Sequence, residues 1–177
     1  MSGRWVFVCG PSGAGKDSVI AVAQQLVTER QDIVFARRMV TRPAQAGSDH
    51  DPVTYQEFDA LVRAGGLRWH WHAHGFYYGI AQHYAAAVQA GCTVVINGSR
   101  EHVQSLLPSP DVRLVEVTAG PAQLALRLAK RGRDRPSEIA ERLTRNTHFD
   151  HLQPDYVIVN DGELLAAAKS LADYLSR

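Results

Sequence analysis

Residues 5–18 read WVFVCGPSGAGKDS, an apolar run followed by a glycine-rich segment and then by a helical pattern. The five consecutive apolar residues from Trp5 to Cys9 predict a short, buried β-strand. The spacing of apolar residues from about Lys16 to Glu29 predicts a helix. Between them, Gly10–Lys16 matches the pattern G-x-x-x-x-G-K in the context that this motif requires, with a strand before it and a helix after it.

The glycine-rich segment predicts a loop that binds the phosphates of a nucleotide. Glycines let backbone N–H groups turn inward, and the helix N-terminus adds the positive end of its dipole. Lys16 supplies a flexible point charge. A glycine-rich turn that binds nothing is the alternative, but the motif in its context favours phosphate binding. The predicted nucleotide-binding residues here are Gly10, Pro11, Ser12, Gly13, Ala14, Gly15, Lys16, Asp17 and Ser18.

Asp17 departs from the usual motif, in which a serine or threonine follows the lysine and binds Mg²⁺. One interpretation is that Asp17 only favours the helix N-terminus electrostatically. A carboxylate so close to a triphosphate would, however, repel it unless a cation lay between them. We therefore predict that Asp17 binds Mg²⁺, directly or through water. The predicted strand Thr93–Ile96 ends in the neutral amide Asn97 where an acidic residue is usual, so these two changes are complementary.

Short, continuously apolar strands alternate with helical segments along the rest of the chain. This pattern predicts an α/β fold with three layers, in which helices cover both faces of a parallel sheet. The further predicted strands are Ile33–Ala36, Trp69–Ala73, Thr93–Ile96, Leu114–Val117 and Tyr156–Val159. The further predicted helices are Gln56–Ala64, Ile80–Ala90, Pro121–Arg131, Ser137–Thr147 and Glu163–Leu175. Residues 42–54 are the most loop-like stretch.

The length of 177 residues predicts one domain rather than two. We expect its core to comprise residues 1–36 and 81–177. A substrate-binding insertion is expected at about 37–80, and a basic lid at about 131–137.

The composition argues against several classes of protein. Nineteen basic and eighteen acidic residues leave a formal net charge of +1, which gives no reason to expect a nucleic-acid or membrane-surface binder. Cys9 and Cys92 are each flanked by apolar residues, as is typical of buried thiols in a reducing compartment. The N-terminal residues do not have the layout of a signal peptide. These features predict a cytoplasmic protein, and they leave its oligomeric state open.

A cluster of positive charge extends from Arg127 to Arg145, with seven basic and three acidic residues. A solvated helix face is the ordinary explanation of such a cluster. Here Gly132 interrupts the helical pattern, and the chain also carries a predicted phosphate loop. Arginines on a lid neutralise the charge of a phosphoryl group during transfer. The candidate catalytic residues are therefore Lys16, Arg131, Arg133 and Arg142.

Three histidines, His70, His72 and His74, alternate along a predicted strand, whereas Trp69 and Trp71 point to its other face. Three histidines on one face could bind zinc, could line a polar sugar-phosphate cleft, or could simply pack. His72 is retained as a candidate substrate contact.

The order of these motifs resembles that of the guanylate-kinase-like P-loop kinases over nearly the whole chain. The matching segments are Gly10–Lys16, Thr41-Arg42, Gly75–Gly79, Arg127 to Gly132 and Val157–Asp161. The resemblance implies a kinase fold with a small substrate-binding insertion and an arginine-rich lid, with ATP as donor and Mg²⁺ as cofactor. It also implies that Arg42 and Tyr78 bind the acceptor phosphate, and that Asn160 lies near the adenine of ATP.

The residues that read guanine in that family do not carry over. Trp69 stands where an acidic residue is expected, and Gln45 stands where a second arginine is expected. The loop 47–51 is shorter than its counterpart and lacks its tyrosine. A site that reads a base by hydrogen bonds loses most of its selectivity when those groups are missing. Guanosine monophosphate is therefore disfavoured as the acceptor.

Residues 10–18, Thr41–Pro43 and Asn97–Arg100 resemble more closely the branch that phosphorylates ribose 1,5-bisphosphate to 5-phosphoribosyl 1-diphosphate. That resemblance implies a role in phosphonate breakdown and a small-molecule acceptor with two phosphates. Arg38 and Arg100 offer charge for the second phosphate. The candidate acceptor-binding residues are Arg38, Arg42, Asp49, His50, His72, Tyr78, Asn97 and Arg100.

Two alternatives remain beside this expectation. One is a nucleoside monophosphate kinase with an altered base preference. The other is a catalytically silent domain that uses the same fold for protein binding, although Lys16 and the lid arginines argue against it.

Overall fold

A computed structural model of the chain describes residues 3–44, 49–130, 149 and 152–177. The predicted lid at about 131–137 and the predicted helix Ser137–Thr147 lie outside these residues. So do the three lid arginines predicted to be catalytic, Arg131, Arg133 and Arg142.

Strands and helices alternate along most of the described chain. Its strands are β1 Arg4–Cys9, β2 Ile33–Ala36, β3 Arg38–Val40, β4 His50–Pro52, β5 Leu67–Ala73, β6 Phe76–Ala81, β7 Thr93–Asn97, β8 Val112–Thr118 and β9 Tyr156–Val159. Its helices are α1 Lys16–Leu26, α2 Tyr55–Arg63, α3 Tyr84–Gln89, α4 Arg100–Gln104, α5 Pro121–Lys130 and α6 Leu164–Leu175.

The larger sheet has five strands in the order β2-β7-β1-β8-β9. The pairs β2–β7 and β8–β9 are parallel, with Ile33 opposite Thr93 and Val115 opposite Tyr156. The central strands β1 and β7 are mostly buried and apolar, as is typical of parallel strands that are covered on both faces, whereas Val157 and Val159 of the edge strand β9 are exposed. The predicted α/β class with a parallel sheet is therefore confirmed.

The smaller sheet has four strands in the order β4-β3-β6-β5. The strands β3 and β4 are parallel, whereas β6 runs antiparallel to both β3 and β5. This sheet falls almost entirely in the stretch expected to be a substrate-binding insertion. The stretch 42–54 is less loop-like than predicted, since β4 lies within it.

The prediction of a helix from Ile80 to Ala90 is wrong at its N-terminal end. Ile80 and Ala81 complete β6, where Ile80 is fully buried and lies opposite Trp69 of β5. Strand pairing and burial override the helix propensity of the alanine-rich stretch there. The helix α3 begins only at Tyr84.

The chain divides into two compact units, and each is described here by itself. The first unit comprises Met1–Trp5 and Gln31–Ile96, and the second comprises Val6–Arg30 and Asn97–Arg177. The buried residues of the first unit include Val40, Phe58 and Ile80. In the second unit, α1 packs against α6.

No helix within the described ranges is long and apolar enough to cross a membrane.

Candidate active site

The glycine-rich loop of the second unit joins β1 to α1, as the sequence predicts. Gly13 and Gly15 have φ angles of 92° and 79°, in the left-handed region that favours glycine. Gly15 is the N-cap of α1, so the first N–H groups of this helix have no intrahelical partner. A Cβ atom added to Gly10 would lie 1.9 Å from the carbonyl oxygen of Val117. This close approach explains why the first position of the motif is a glycine.

Lys16, Asp17 and Asn97 form a polar cluster beside this loop. The Lys16 Nζ donates hydrogen bonds to Asp17 Oδ1, at 3.0 Å, and to the side-chain oxygen of Asn97. The Asn97 Nδ2 donates to Asp17 Oδ1 at 3.0 Å. The structure therefore brings together the two residues whose changes from the common motif are complementary.

The donor set of this cluster fits a magnesium ion. Mg²⁺ prefers oxygen ligands and is usually bound by one or two carboxylates together with substrate phosphates and water. Asp17 offers such a carboxylate, and 71% of its side chain is exposed and so open to further ligands. No group of three or more His, Cys, Asp or Glu side chains within the described part of the chain could hold a metal ion. The protein would therefore contribute Asp17, and the nucleotide would contribute phosphate oxygens.

Asn160 and Arg127 contact the outer side of the phosphate loop. Asn160 is 4% exposed, and its Nδ2 donates to the carbonyl oxygen of Ala14 at 2.8 Å. The Arg127 guanidinium donates to the carbonyl oxygens of Gly13 at 3.5 Å, Ala14 at 3.3 Å and Asn160 at 2.8 Å. Sequence reasoning singled out Asn160 but missed this role of Arg127, because no sequence signal marks an arginine that binds backbone carbonyls.

Arg100, expected to offer charge to a second phosphate, lies in a partly buried ion pair. Its side chain is 12% exposed, and its Nη1 lies 3.9 Å from Glu116 Oε1. Its Cζ also lies 4.4 Å from the centre of the Phe149 ring. The charge of Arg100 is therefore partly balanced within the second unit itself.

Cys9, the last residue of β1, is buried next to these charges. Burial raises the pKa of its thiol from 9.0 to about 12, while Lys16 and Arg100 oppose the shift and Glu116 adds to it. The thiol is therefore protonated at neutral pH and does not act as a nucleophile.

In the first unit, Arg38, Asp49 and Tyr78 lie together. The Arg38 Nη2 donates to both carboxylate oxygens of Asp49, at 3.0 and 3.2 Å. The Arg38 Cζ lies 5.7 Å from the centre of the Tyr78 ring, which in turn stacks on Trp71 with centroids 5.5 Å apart. Three of the predicted acceptor-binding residues are thus neighbours.

His50 fixes the backbone at Arg42. The imidazole is 2% exposed, and its Nε2 lies 3.2 Å from the carbonyl oxygen of Arg42. Because a carbonyl can only accept, Nε2 carries the proton. The Thr41 hydroxyl accepts a hydrogen bond from the Tyr77 N–H at 2.9 Å, which holds the same segment. Arg42 has no carboxylate partner within the described residues, so its guanidinium can take an anionic ligand.

The predicted alternation of three histidines holds for two of them. His70 and His72 lie exposed on one face of β5, whereas Trp69 and Trp71 are half-buried on the other. His74 lies in the turn after β5 with a φ of 52°, so its prediction as a strand residue is wrong. His72 packs against Tyr77 at 4.9 Å, on the face opposite Trp71, and so is not among the neighbours of Tyr78.

The predicted site residues therefore divide between the two units. The second unit holds the phosphate loop together with Asn97, Arg100 and Asn160. The first unit holds Arg38, Arg42, Asp49, His50, His72 and Tyr78.

A phosphate loop between β1 and α1, at one end of a parallel sheet, defines a P-loop kinase-type α/β fold. A guanylate kinase from Anaplasma phagocytophilum has a similar structure, with a TM-score of 0.72, 21% sequence identity, and coverage of 99% of this chain and 85% of that chain. At this identity the similarity shows the fold alone. No family model matches the chain.

Curated relatives are much closer in sequence. The chain is 37% identical over 177 residues to a ribose 1,5-bisphosphate phosphokinase PhnN of Thiobacillus denitrificans, covering 98% of this chain and 93% of that protein. It is 42% identical over 176 residues to the protein of the same name from Acidiphilium cryptum, covering 99% and 94%. The chain belongs to the ribose 1,5-bisphosphate phosphokinase family. The resemblance found in the motifs is therefore confirmed.

Proposed function

We propose that this protein transfers the γ-phosphoryl group of ATP to the 1-phosphate of ribose 1,5-bisphosphate, forming 5-phosphoribosyl 1-diphosphate and ADP. The observation that carries the proposal is membership of the family along almost the entire chain. An oxygen of the acceptor phosphate forms the new P–O bond while the bond from the γ-phosphorus to the bridging oxygen breaks. No covalent enzyme intermediate is needed, so positioning and charge neutralisation supply the catalysis.

On the donor side, the loop N–H groups bind the phosphates and Lys16 neutralises their charge. The contacts of Lys16 with Asp17 and Asn97 support this role, because they hold the ammonium group beside the loop before a nucleotide arrives. Mg²⁺, when bound, would neutralise charge that develops on the phosphate oxygens. Asp17 is the residue proposed to bind it, with Asn97 orienting the carboxylate through its amide N–H groups. The resemblance implies that Asn160 lies near the adenine, but its buried side chain binds the Ala14 carbonyl, so no contact with the base is proposed for it.

On the acceptor side, Arg42 is the cation best suited to a phosphate, since no described carboxylate neutralises it. His50 supports this role through its hydrogen bond to the Arg42 carbonyl. Arg38 is proposed to bind the second phosphate with Asp49 and Tyr78 beside it, and Asp49 also offers an acceptor for a sugar hydroxyl. The roles of Arg100 and His72 toward the acceptor remain predictions, as do those of the lid arginines Arg131, Arg133 and Arg142 in transfer.

Trp69 of the first unit argues against guanosine monophosphate as acceptor. Trp69 packs edge-on against Trp5, with ring centroids 4.6 Å apart. An indole offers a single N–H donor and no acceptor, whereas an acidic side chain accepts hydrogen bonds from a guanine edge. The group that would read guanine is therefore missing at this position.

An acceptor panel with ATP and Mg²⁺ tests the proposal. We expect kcat/KM for ribose 1,5-bisphosphate to exceed that for GMP or AMP by at least about 10³, which is within the reach of a hydrogen-bonding site. Lys16→Ala serves as the control that should bind the acceptor, keep its circular dichroism spectrum and lose transfer. Turnover of GMP without turnover of the bisphosphate would support the nucleoside monophosphate kinase instead. No turnover of any acceptor would support the other alternative, a catalytically silent domain that binds proteins.

A further inference from the structure

The phosphate loop presents two of its backbone carbonyls to side chains on its outer side. The Ala14 carbonyl accepts hydrogen bonds from Asn160 Nδ2 at 2.8 Å and from Arg127 Nη1 at 3.3 Å. The Gly13 carbonyl accepts a longer one, at 3.5 Å, from the same Arg127 nitrogen. Because this loop belongs to no helix or strand, its carbonyls depend on such partners.

The orientation of these carbonyls determines the direction of the N–H groups. In a trans peptide the C=O and the N–H point in opposite directions. With the Ala14 carbonyl directed at Asn160 and Arg127, the N–H of Gly15 points away from them. Gly15 is the N-cap of α1, and N–H groups at such a position bind phosphate. The two side chains therefore control a phosphate-binding donor without touching the phosphate.

Arg127 and Asn160 also hold each other. The Arg127 Nη2 donates to the Asn160 carbonyl at 2.8 Å. A Cβ atom added to Gly15 would lie 2.7 Å from Asn160 Nδ2, so the amide fits closely against the loop. Both residues are anchored on regular elements, since Arg127 lies within α5 and Asn160 directly follows β9.

We propose that Arg127 and Asn160 are positioning residues that hold the Ala14–Gly15 peptide in its phosphate-binding orientation. A loop held in this way loses less conformational freedom when the nucleotide binds. The entropic cost of ordering the loop therefore reduces the binding affinity less. The Arg127 charge behind the carbonyls also polarises the same peptide groups. This inference concerns the donor phosphates only and goes beyond the choice of acceptor.

The proposal is tested by titrating three ligands into Arg127→Ala and Asn160→Ala by calorimetry, without metal. The ligands are ADP, inorganic tripolyphosphate and adenosine. We expect the Kd values for ADP and tripolyphosphate to rise by the same factor, at least about tenfold, because a tenfold change corresponds to the free energy of about one hydrogen bond. Binding of adenosine should not change, because it has no phosphate.

Arg113→Ala provides a matched control in the same unit. Arg113 lies on β8, and its Nε lies 3.8 Å from Asp155 at the surface. Its replacement removes an arginine without touching the loop, so all three Kd values should stay at those of the wild type.

Two outcomes would overturn the proposal. Weaker binding of ADP with unchanged binding of tripolyphosphate would mean that these residues contact the base or the ribose. A lower melting temperature with unchanged Kd values would mean that they only stabilise the fold.

Arg127→Lys covers the case in which the alanine variant does not fold. Because lysine lacks the planar, forked guanidinium that binds the three carbonyls, the Kd of Arg127→Lys for tripolyphosphate should be higher than that of the wild type, and an unchanged Kd in a folded Arg127→Lys would contradict the proposal.

The double variant tests whether the two residues act on one peptide. Because both bind the Ala14 carbonyl, the combined loss of tripolyphosphate affinity should be smaller than the product of the two single losses. A loss equal to that product would show independent roles and would contradict a shared action on the loop.

Discussion

Lys16 is held between two oxygen atoms of different character, one from the Asp17 carboxylate and one from the Asn97 amide. The carboxylate neutralises the ammonium charge, while the amide orients it without adding charge. When the phosphates of a nucleotide bind, Lys16 can replace its hydrogen bonds to Asp17 and Asn97 with hydrogen bonds to phosphate oxygens. The Asp17 carboxylate then needs a new cation, and Mg²⁺ bound to the same phosphates would supply it.

Replacing Asp17 by asparagine tests this exchange. We expect Asp17→Asn to raise the Mg²⁺ concentration for half-maximal activity by at least about tenfold, a typical cost of disturbing a metal site. Excess Mg²⁺ should partly restore the rate. Asp17→Ser should be milder, since it restores the ligand common in this motif. An unchanged magnesium titration in Asp17→Asn would show that the carboxylate only favours the helix N-terminus.

Cys9 makes stability depend on alkaline pH. Burial raises the pKa of its thiol from 9.0 to about 12, so between these values the unfolded thiol loses its proton while the folded one keeps it. The unfolding free energy therefore falls as the pH rises, by about 1.4 kcal/mol per pH unit. Cys9→Ala lacks this contribution. Urea denaturation should show the advantage of wild type over Cys9→Ala shrinking by about 1.4 kcal/mol between about pH 8 and about pH 10. A constant difference would contradict the shifted pKa.

At the scale of elements, the strands of the larger sheet were predictable because each contains a short run of mainly apolar residues. Ile33–Ala36 and Tyr156–Val159 have the predicted bounds. The smaller sheet was not predictable in the same way. Its strands β3 and β4 have three residues each and carry charged side chains such as Arg38 and Asp51, and so lack an apolar pattern. Their strand character comes from pairing with neighbours, which a local pattern does not encode.

The candidate site likewise contains residues that the sequence predicts and one residue, Arg127, whose role it does not predict. The phosphate loop was found because all its essential residues lie in one short segment. The role of Arg127 was not found, since it binds the carbonyl of Ala14, which lies 113 residues away along the chain. A backbone carbonyl has no sequence identity of its own, so no motif could indicate this partner.

The helix α2 begins with a capping box. The Thr54 hydroxyl accepts a hydrogen bond from the Glu57 N–H at 3.2 Å, and Glu57 Oε2 accepts one from the Thr54 N–H at 2.7 Å. Thr54→Ala should lower the unfolding free energy by about 1 kcal/mol, as measured by urea denaturation. Thr28→Ala, at an exposed threonine that follows α1, is the control and should have little effect. Equal stability of the two variants would contradict the role of the cap.

The same cap predicts a dependence on acidic pH. Hydrogen bonds from the backbone and side chain of Thr54 lower the pKa of the Glu57 carboxyl from 4.5. The stabilisation is therefore present above this pH and is lost as the pH falls below it. Thr54→Ala keeps the backbone hydrogen bond and loses only the one from the hydroxyl, so this loss should be smaller in the variant and the two unfolding free energies should come closer together in acid.

For the whole molecule, most of the candidate acceptor-binding residues, Arg42 among them, belong to the first compact unit, whereas the phosphate loop belongs to the second. Arg42→Ala should therefore raise the KM for the acceptor by at least about tenfold, the effect of losing a charge-assisted hydrogen bond. It should leave the Kd for ADP unchanged, because the phosphate loop belongs to the other unit. Acceptor kinetics and an ADP titration provide the two measurements.

Arg63→Ala is the matched control for this prediction. Arg63 lies in the same unit, is mostly exposed, and pairs with Asp59 at 2.7 Å on the surface of α2. Neither measurement should change in this variant. A weaker affinity of Arg42→Ala for ADP would contradict the division of the substrates between the units.

The contacts of Asn97 also bear on the chemical ageing of the protein. Asn97 precedes Gly98, and asparagine before glycine readily loses ammonia through a cyclic imide, because glycine has no side chain to hinder attack by its backbone nitrogen. Here the Gly98 N–H is bound to the Val8 carbonyl at 2.9 Å, and the buried Asn97 amide is held by Lys16 and Asp17. Attack would have to break these bonds, so the fold protects the amide. Chains that spend time unfolded would acquire an extra carboxylate beside Asp17, and a refolded preparation would carry that chemical record in its phosphate site.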